Sequence, residues 1–231
     1  MIVAIDGPAG AGKSTLARRI ADKLGFIYVD TGAMYRSVAL WALRNRTELS
    51  DMHRLEQLAR EAHIEFAPGT RTVLLNGEDV SEAIRAPAVG DAASKVSVVP
   101  GVRRALVARQ REMAENASVV MEGRDIGTVV FPDATVKFYL DADSQVRAGR
   151  RVRELVAAGE AVSHEAVAEG LRERDKRDQT RAHSPLAQAP DAVYLDTSGL
   201  SIDEVEAAML RTIRERTTNG KELARDGGQQ R

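Results

Sequence analysis

Two hydrophobic periods alternate along this chain. Residues 2–5 form a short apolar run, as a buried parallel strand does, and it stops at Asp6. Gly7, Pro8, Gly10 and Gly12 then interrupt regular structure. From Ser14 a helical pattern takes over, with Leu16, Ile20 and Leu24 apolar and Arg18, Arg19, Asp22 and Lys23 polar, and Gly25 fits a C-terminal cap. Residues 26–29 repeat the strand pattern and end at Asp30, where a helix opens through Val38, Leu40, Trp41 and Leu43. Ser50 is expected to cap a further helix carrying Leu55, Leu58 and Ala62.

From Ile64 the period shortens to that of hairpin strands, at 64–66 and 72–75, with turns at Pro68-Gly69 and Asn76-Gly77. Helices follow at 88–98 and 102–117, separated by Pro100, then buried strands at 119–122 and 136–140. Residues 144–157 and 164–181 read as a helical hairpin across Gly159. A fifth strand at 192–195 precedes an amphipathic helix from Ser201, with Ile202, Val205, Met209, Leu210 and Ile213. Residues 218–231 are polar and glycine-rich and read as a frayed tail. There is no internal repeat. Five apolar strands separated mostly by helices predict an α/β fold, a five-stranded parallel sheet flanked by helices. Ligands of such sheets sit at the carboxyl ends of the strands. Asp6, Asp30, Gly123-Arg124-Asp125 and Asp141 all emerge there.

The first strand and helix enclose Gly7, Pro8, Ala9, Gly10, Ala11, Gly12, Lys13, Ser14 and Thr15, a G-x-x-x-x-G-K-S phosphate loop in its required strand–loop–helix context. The glycines let successive N–H groups approach an anion, and the helix N-terminus adds partial positive charge. Lys13 reaches outer phosphates and the Ser14 hydroxyl suits Mg2+, so a P-loop fold binding a nucleoside triphosphate is expected. A glycine-rich turn without function is the bland alternative.

Composition narrows the partners. With 33 basic and 34 acidic residues the net charge is -1, which argues against a global nucleic-acid surface. No cysteine is present, excluding disulfides and thiolate chemistry. No apolar run approaches the ~20 residues of a membrane span. The chain opens on its first core strand, so no signal peptide is expected, and a cytoplasmic protein is. Aromatic residues are 4%, so any base-stacking surface is small.

Arginines favour a kinase over a switch. Arg147 and Arg151 share one helical face, and Arg174, Arg177 and Arg181 share another beside Asp178. They are solvated surface paired with Glu154, Glu169, Glu173 and Asp175, or they fold over phosphates, exclude water and neutralise charge. Arg36, Arg124 and Arg181 could clamp a phosphate already on the acceptor. The N-K-x-D motif of GTPase switches is absent.

Four further stretches join the phosphate loop: Asp30-Thr31-Gly32-Ala33-Met34-Tyr35-Arg36, Leu75-Asn76-Gly77-Glu78-Asp79-Val80, the run from Glu122-Gly123-Arg124-Asp125 through Phe131-Pro132-Asp133, and Arg174-Asp175-Lys176-Arg177-Asp178 leading to Arg181. With these the chain resembles the bacterial cytidylate kinases, nucleoside monophosphate kinases, over residues 1 to about 215. The Gly-Arg-Asp-Ile-Gly-Thr-Val-Val-Phe-Pro segment is the most specific.

The resemblance implies one kinase domain at 1–217, with a core at 1–30, 83–142 and 182–217. A monophosphate-binding region spans about 31–82, including a small β insert at 64–82, and a lid spans about 143–181. ATP with Mg2+ would be the donor, and CMP or dCMP the acceptor. Lys13, Arg124, Arg174, Arg177 and Arg181 would be catalytic. Tyr35, Arg36, Arg124 and Arg181 would hold the acceptor phosphate, with Thr31 beside them. Ser94, Arg103 and Asp125 would read cytosine, and Asp178 the sugar. Ser14 and Asp30 would serve the metal. Uracil would present a carbonyl to Asp125, a mismatch that discriminates strongly. Glu122 departs from relatives that carry aspartate there, without consequence for phosphate binding. A monomer is expected, acting on free nucleotides without nucleic acid or membrane. His53, His63, His164 and His183 fit no metal or catalytic spacing. The competing readings are a small-metabolite kinase of shikimate-kinase type and a non-catalytic nucleotide-binding switch.

Overall fold

The first strand, β1 (Ile2–Asp6), is the centre of the structure, with four of its five residues buried. In this computed structural model, which describes residues 1–67, Thr70 and 72–226, β1 is followed by α1 (Lys13–Leu24), β2 (Ile27–Asp30), α2 (Thr31–Arg44) and α3 (Met52–Glu61). Next come β3 (Ile64–Phe66), β4 (Val73–Leu75), β5 (Glu78–Asp79), a 3-10 turn at Ala83–Arg85, α4 (Pro87–Val96) and α5 (Pro100–Glu112). β6 (Val119–Glu122) leads into a single π-helical turn at Ile126–Val130, then β7 (Val136–Asp141). The chain ends with α6 (Ser144–Ala157), α7 (His164–Thr180), β8 (Val193–Asp196) and α8 (Ile202–Asp226).

The main sheet has five parallel strands in the order β2-β6-β1-β7-β8. Its largely apolar central strands need cover on both faces. On one side Val3, Ile5, Val136, Phe138 and Leu140 pack with Leu16 and Ile20 of α1 and Val205, Met209 and Ile213 of α8. On the other, Ala4, Val29 and Met121 pack with Ile126 and Val130 of the π turn. A separate core joins α2 to α5 around Met34, Val38, Leu55, Leu58, Val102 and Leu106. Each such aliphatic side chain contributes about 1.5–3 kcal/mol by leaving water. The insert is a second, antiparallel sheet, β3-β4-β5, and α6 and α7 form a hairpin.

Several boundaries differ from the sequence reading. Asp51, not Ser50, caps α3, its carboxylate accepting the Arg54 N–H at 2.9 Å. A carboxylate at that position outcompetes a serine one residue too early to reach the first turn. Helix α5 begins at Pro100, because a proline at the first helical position forfeits only an N–H that had no partner. Helix α8 runs from Ile202 to Asp226. Residues 227–231 and the Pro68-Gly69 turn lie outside the described residues.

The π turn had no precedent in the hydrophobic pattern. Asp6 creates it: its buried carboxylate accepts the N–H groups of Ile126 (2.8 Å) and Gly127 (2.7 Å). Asp6 therefore does not point at a ligand; it folds the segment after β6 back across the sheet. Burial pushes its carboxyl up to about 6, because two backbone donors do not fully replace water.

Candidate active site

At the carboxyl ends of the strands lies a cleft of about 1400 Å³. The phosphate loop forms one end. Gly7 has φ +144 and lies against β7, where an added Cβ would sit 1.9 Å from the Leu140 carbonyl oxygen. Gly10 has φ +78 and packs on the first turn of α6, a Cβ there falling 3.1 Å from Arg147. A side chain is blocked outright at Gly7 and strained at Gly10, where the positive φ favours glycine.

Four consecutive carbonyls of this loop are held by donors. Lys13 Nζ donates to Pro8 O (2.7 Å) and Arg147 to Ala9 O (3.1 Å). Arg150 donates to Gly10 O (3.4 Å) and Thr197 Oγ1 to Ala11 O (3.2 Å). Arg150 in turn bonds the Thr197 hydroxyl at 2.9 Å and its carbonyl at 2.6 Å. Spending the carbonyls on these donors leaves the loop N–H groups for an anion, at the N-terminus of α1. Lys13 is buried with Arg124 and Arg174 near it, and burial followed by Arg124 drives its ammonium well below the ordinary lysine range. A bound polyphosphate would restore its charge.

Ser14 donates to Glu122 Oε2 at 2.9 Å, and Tyr28 donates to Glu122 Oε1 at 2.5 Å. Burial, then the Asp30 charge, raises the Glu122 carboxyl. Asp30 caps α2 by accepting the Ala33 N–H at 3.0 Å. The Thr31 hydroxyl is spent on the Glu122 carbonyl (2.7 Å). Ser14, Asp30 and Glu122 form a hard oxygen donor set that fits Mg2+, which takes one or two carboxylates with phosphates and waters. Among the described residues no cluster of three or more acidic, histidine or cysteine side chains could hold an ion unaided.

The other end of the cleft is built from side chains. Asp125 is in a buried ion pair with Arg103 and lies 3.4 Å from Arg181 NH2. The Arg103 guanidinium lies 5.5 Å from the Tyr35 ring centroid and donates to Ser97 O at 3.3 Å. Burial pushes the Tyr35 phenol up to about 12, against the opposing pull of Arg103. Ser94 is buried and accepts from Arg177 NH1 at 2.6 Å. Arg124 donates to Asp178 at 3.1 Å, with Arg174 4.0 Å from the same oxygen. Burial alone would raise Asp178; Arg124, Arg174 and Arg181 together hold it below the usual carboxylate range. Burial and Arg124 lower the Arg174 guanidinium to about 9, still charged at neutral pH. Arg36 donates to Ile84 O (3.3 Å). Burial and neighbouring guanidinium groups lower it too. Cations crowded this way gain from a multiply charged anion among them.

The cleft thus brings together residues 9–15, Asp30, Thr31, Tyr35, Arg36, Ser94, Arg103, Arg124, Asp125, Arg174, Asp178 and Arg181. Gly7 and Pro8 stand behind it, and Arg177 reaches to Ser94 on α4 rather than toward the loop. Arg147 is neither solvated surface nor inside the cleft: it joins Ala9 to Asp175 of α7 (2.5 Å). Arg151 pairs with Glu154 at 3.0 Å and lines the cleft, where its charge acts on Arg36 and Arg174. Glu122, Tyr28, Arg150 and Thr197 went unassigned by sequence reasoning. Glu122 sits at a strand's carboxyl end, the signal that singled out Asp6 and Asp30; nothing local marks Thr197.

The protein-family model described as cytidylate kinase matches residues 3–215. A curated cytidylate kinase of Solibacter usitatus (strain Ellin6076) is 60% identical over 226 residues, covering 97% of each chain. One from Desulforamulus reducens (strain ATCC BAA-1160 / DSM 100696 / MI-1) is 52% identical over 204 residues, covering 88% of this chain and 92% of its own. Among solved structures, a gluconokinase from Sinorhizobium meliloti 1021 matches with TM-score 0.50 over 96% of this chain and 95% of its own. At 14% identity that likeness is one of fold alone.

Proposed function

The chain belongs to the cytidylate kinase family, and on that premise we propose that it transfers the terminal phosphoryl group of ATP to CMP and dCMP, giving ADP with CDP or dCDP. One observation carries the reading: a single cleft has a phosphate loop at one end and, at the other, a buried carboxylate held between two guanidinium groups. Cytosine offers an amino donor beside two acceptors. Asp125 with Arg103 is the complement of that edge, with Ser94 adjoining.

The monophosphate of the acceptor is already an anion at neutral pH, so no general base is needed; the protein's work is positioning and charge neutralisation. The loop N–H groups and Lys13 hold the donor phosphates. Arg36, Arg124 and Arg181 hold the acceptor phosphate beside Tyr35 and Thr31, and Asp178 meets the sugar. Arg124 and Arg174 neutralise charge on the moving phosphoryl, and Arg177 is brought in with α7. Ser14 with Asp30 and Glu122 would hold Mg2+, which when bound would supply positive charge against the donor phosphates. Ser14 is prepared for this because its O–H already donates a hydrogen bond to Glu122, leaving its lone pairs for a cation. The hairpin α6–α7 serves as a lid, residues 31–82 as the monophosphate-binding region, and the enzyme acts as a cytoplasmic monomer on free nucleotides. Among the described residues no helix is long and apolar enough to cross a membrane.

The test is ADP formation from Mg-ATP with CMP, dCMP, UMP, AMP, GMP and shikimate offered separately. Turnover confined mainly to CMP and dCMP is expected. Turnover on another acceptor would discard the base-reading roles of Ser94, Arg103 and Asp125, and none on any acceptor would leave a nucleotide binder.

A further inference from the structure

Tyr28 lies on β2 outside the loop and the acceptor pocket. The parallel register pairs it with Val120 and pairs Asp30 with Glu122, so Tyr28 and Glu122 are diagonal neighbours. That separation suits a long aromatic side chain. Its hydroxyl donates to Glu122 Oε1 at 2.5 Å, while Oε2 receives the Ser14 hydroxyl at 2.9 Å. The Arg18 guanidinium lies 5.3 Å from the Tyr28 ring centroid and packs the ring from the α1 side. The Glu122 main chain is fixed as well, its carbonyl taking the Thr31 hydroxyl.

A serine hydroxyl that binds a cation through its lone pairs must point its O–H elsewhere. Glu122 accepts that hydrogen bond here. A carboxylate held at one oxygen only could rotate about its last bond, and Ser14 would then lose its fixed acceptor. Pinning the second oxygen removes that freedom. We propose that Tyr28 is a positioning residue for the phosphate site: by holding Glu122 it orients the Ser14 lone pairs toward a divalent cation bound with ATP. This rests on the Mg2+ reading given above. Tyr28 stands at the cleft wall with its hydroxyl spent on Glu122, so its effect is expected on the cation's contribution to ATP binding and not on ATP binding itself.

The experiment is ATP affinity of the full chain by titration calorimetry, in EDTA and in excess Mg2+, for the unaltered chain and Tyr28→Phe. The substitution keeps the ring and removes only the hydroxyl. Expected is unchanged affinity in EDTA, within about twofold, and loss of about tenfold in the gain from Mg2+, as for outer-shell partners of metal ligands. The Mg2+ concentration for half-maximal turnover should rise similarly, with the KM for CMP unmoved. Glu122→Asp, too short to meet both hydroxyls, should show the same split, and the double variant should lose no more than the worse single one. Equal weakening with and without Mg2+, or no change in either, would overturn the role of Tyr28. If the unaltered chain gained nothing from Mg2+, the metal reading would fall first and the role of Tyr28 with it.

Discussion

Around the phosphate loop the recognising groups are main-chain N–H donors whose geometry is set by four carbonyls tethered from Lys13, Arg147, Arg150 and Thr197. Around Asp125 they are side chains drawn from α2, α4, α5 and the α7 C-terminus, each charge held by another. The first arrangement depends on one backbone path and on the side chains that tether it. The second has an ordinary backbone and depends on every charge keeping its partner. Substitutions at the two ends of one cleft should therefore fail in different ways.

The largest effect is expected at Gly7. A methyl group there meets the Leu140 carbonyl of the central sheet, which cannot retreat without breaking the β1–β7 ladder. Gly7→Ala should cost roughly 4–5 kcal/mol of stability and abolish ATP binding, measured by urea unfolding and calorimetry. Retention of both would show that the loop path is not what the sheet dictates.

Arg103→Met probes the other end. It leaves Asp125 buried with only Arg181 nearby, and breaking a buried pair costs about 3–5 kcal/mol. Turnover on CMP should be lost while ATP affinity stays within about threefold. A matching fall in ATP affinity would mean that the two ends are not separable.

Asp6 stands beneath both regions and gives a pH signature. Its carboxyl rises from 3.8 to about 6, so between those values the folded chain binds more protons than the unfolded one. Stability from this group is full below 3.8, falls as pH rises through the window, and is lost above about 6. At about 1.4 kcal/mol per pH unit the loss approaches 3 kcal/mol. Urea unfolding at pH 5 and pH 7.5 should show about 1.4 kcal/mol of that decline, the part above pH 5, and Asp6→Asn, less stable at pH 5, should lack it.

How much was legible in the sequence follows the same division. The phosphate loop is contiguous and its chemistry is that of the backbone, so glycine positions and the Lys13-Ser14 pair announced it. The five strands were legible because burial on both faces demands continuous apolar runs. Asp125 was marked by its place after a strand, but the base-reading roles of Ser94 and Arg103 were reachable only through resemblance, since on their helices they look like ordinary surface residues until the fold buries them. Asp6 was misjudged as a ligand-facing carboxylate because strand-end position does not say whether nearby N–H groups will claim it. Arg147 was legible as a charge but not as a tether, because its partners are 138 and 28 residues away.

Arg147→Met tests that tether. It frees the Ala9 carbonyl and strips Asp175 of its charged partner, so the loop loses one of four anchors. ATP affinity should fall about tenfold, near 1.4 kcal/mol, in line with a hydrogen bond to a charged group. The KM for CMP should move less than twofold. Movement of the CMP term instead would place Arg147 with the acceptor side.

Asp30 joins the two regions, for it ends β2 beside the loop and caps α2, which carries Tyr35 and Arg36. Asp30→Asn separates its two roles, because asparagine caps a helix about as well as aspartate while carrying no charge. The Ala33 N–H keeps its acceptor, so unfolding should shift by less than about 0.5 kcal/mol. The Glu122 carboxyl loses the like charge that helps raise it. What remains is the carboxylate's part in holding Mg2+ through water, for which a few-fold loss in Mg2+-dependent ATP affinity, with none in EDTA, is the expected result. An unchanged Mg2+ dependence would make Asp30 a cap alone and leave the cation to Ser14, Glu122 and the phosphates.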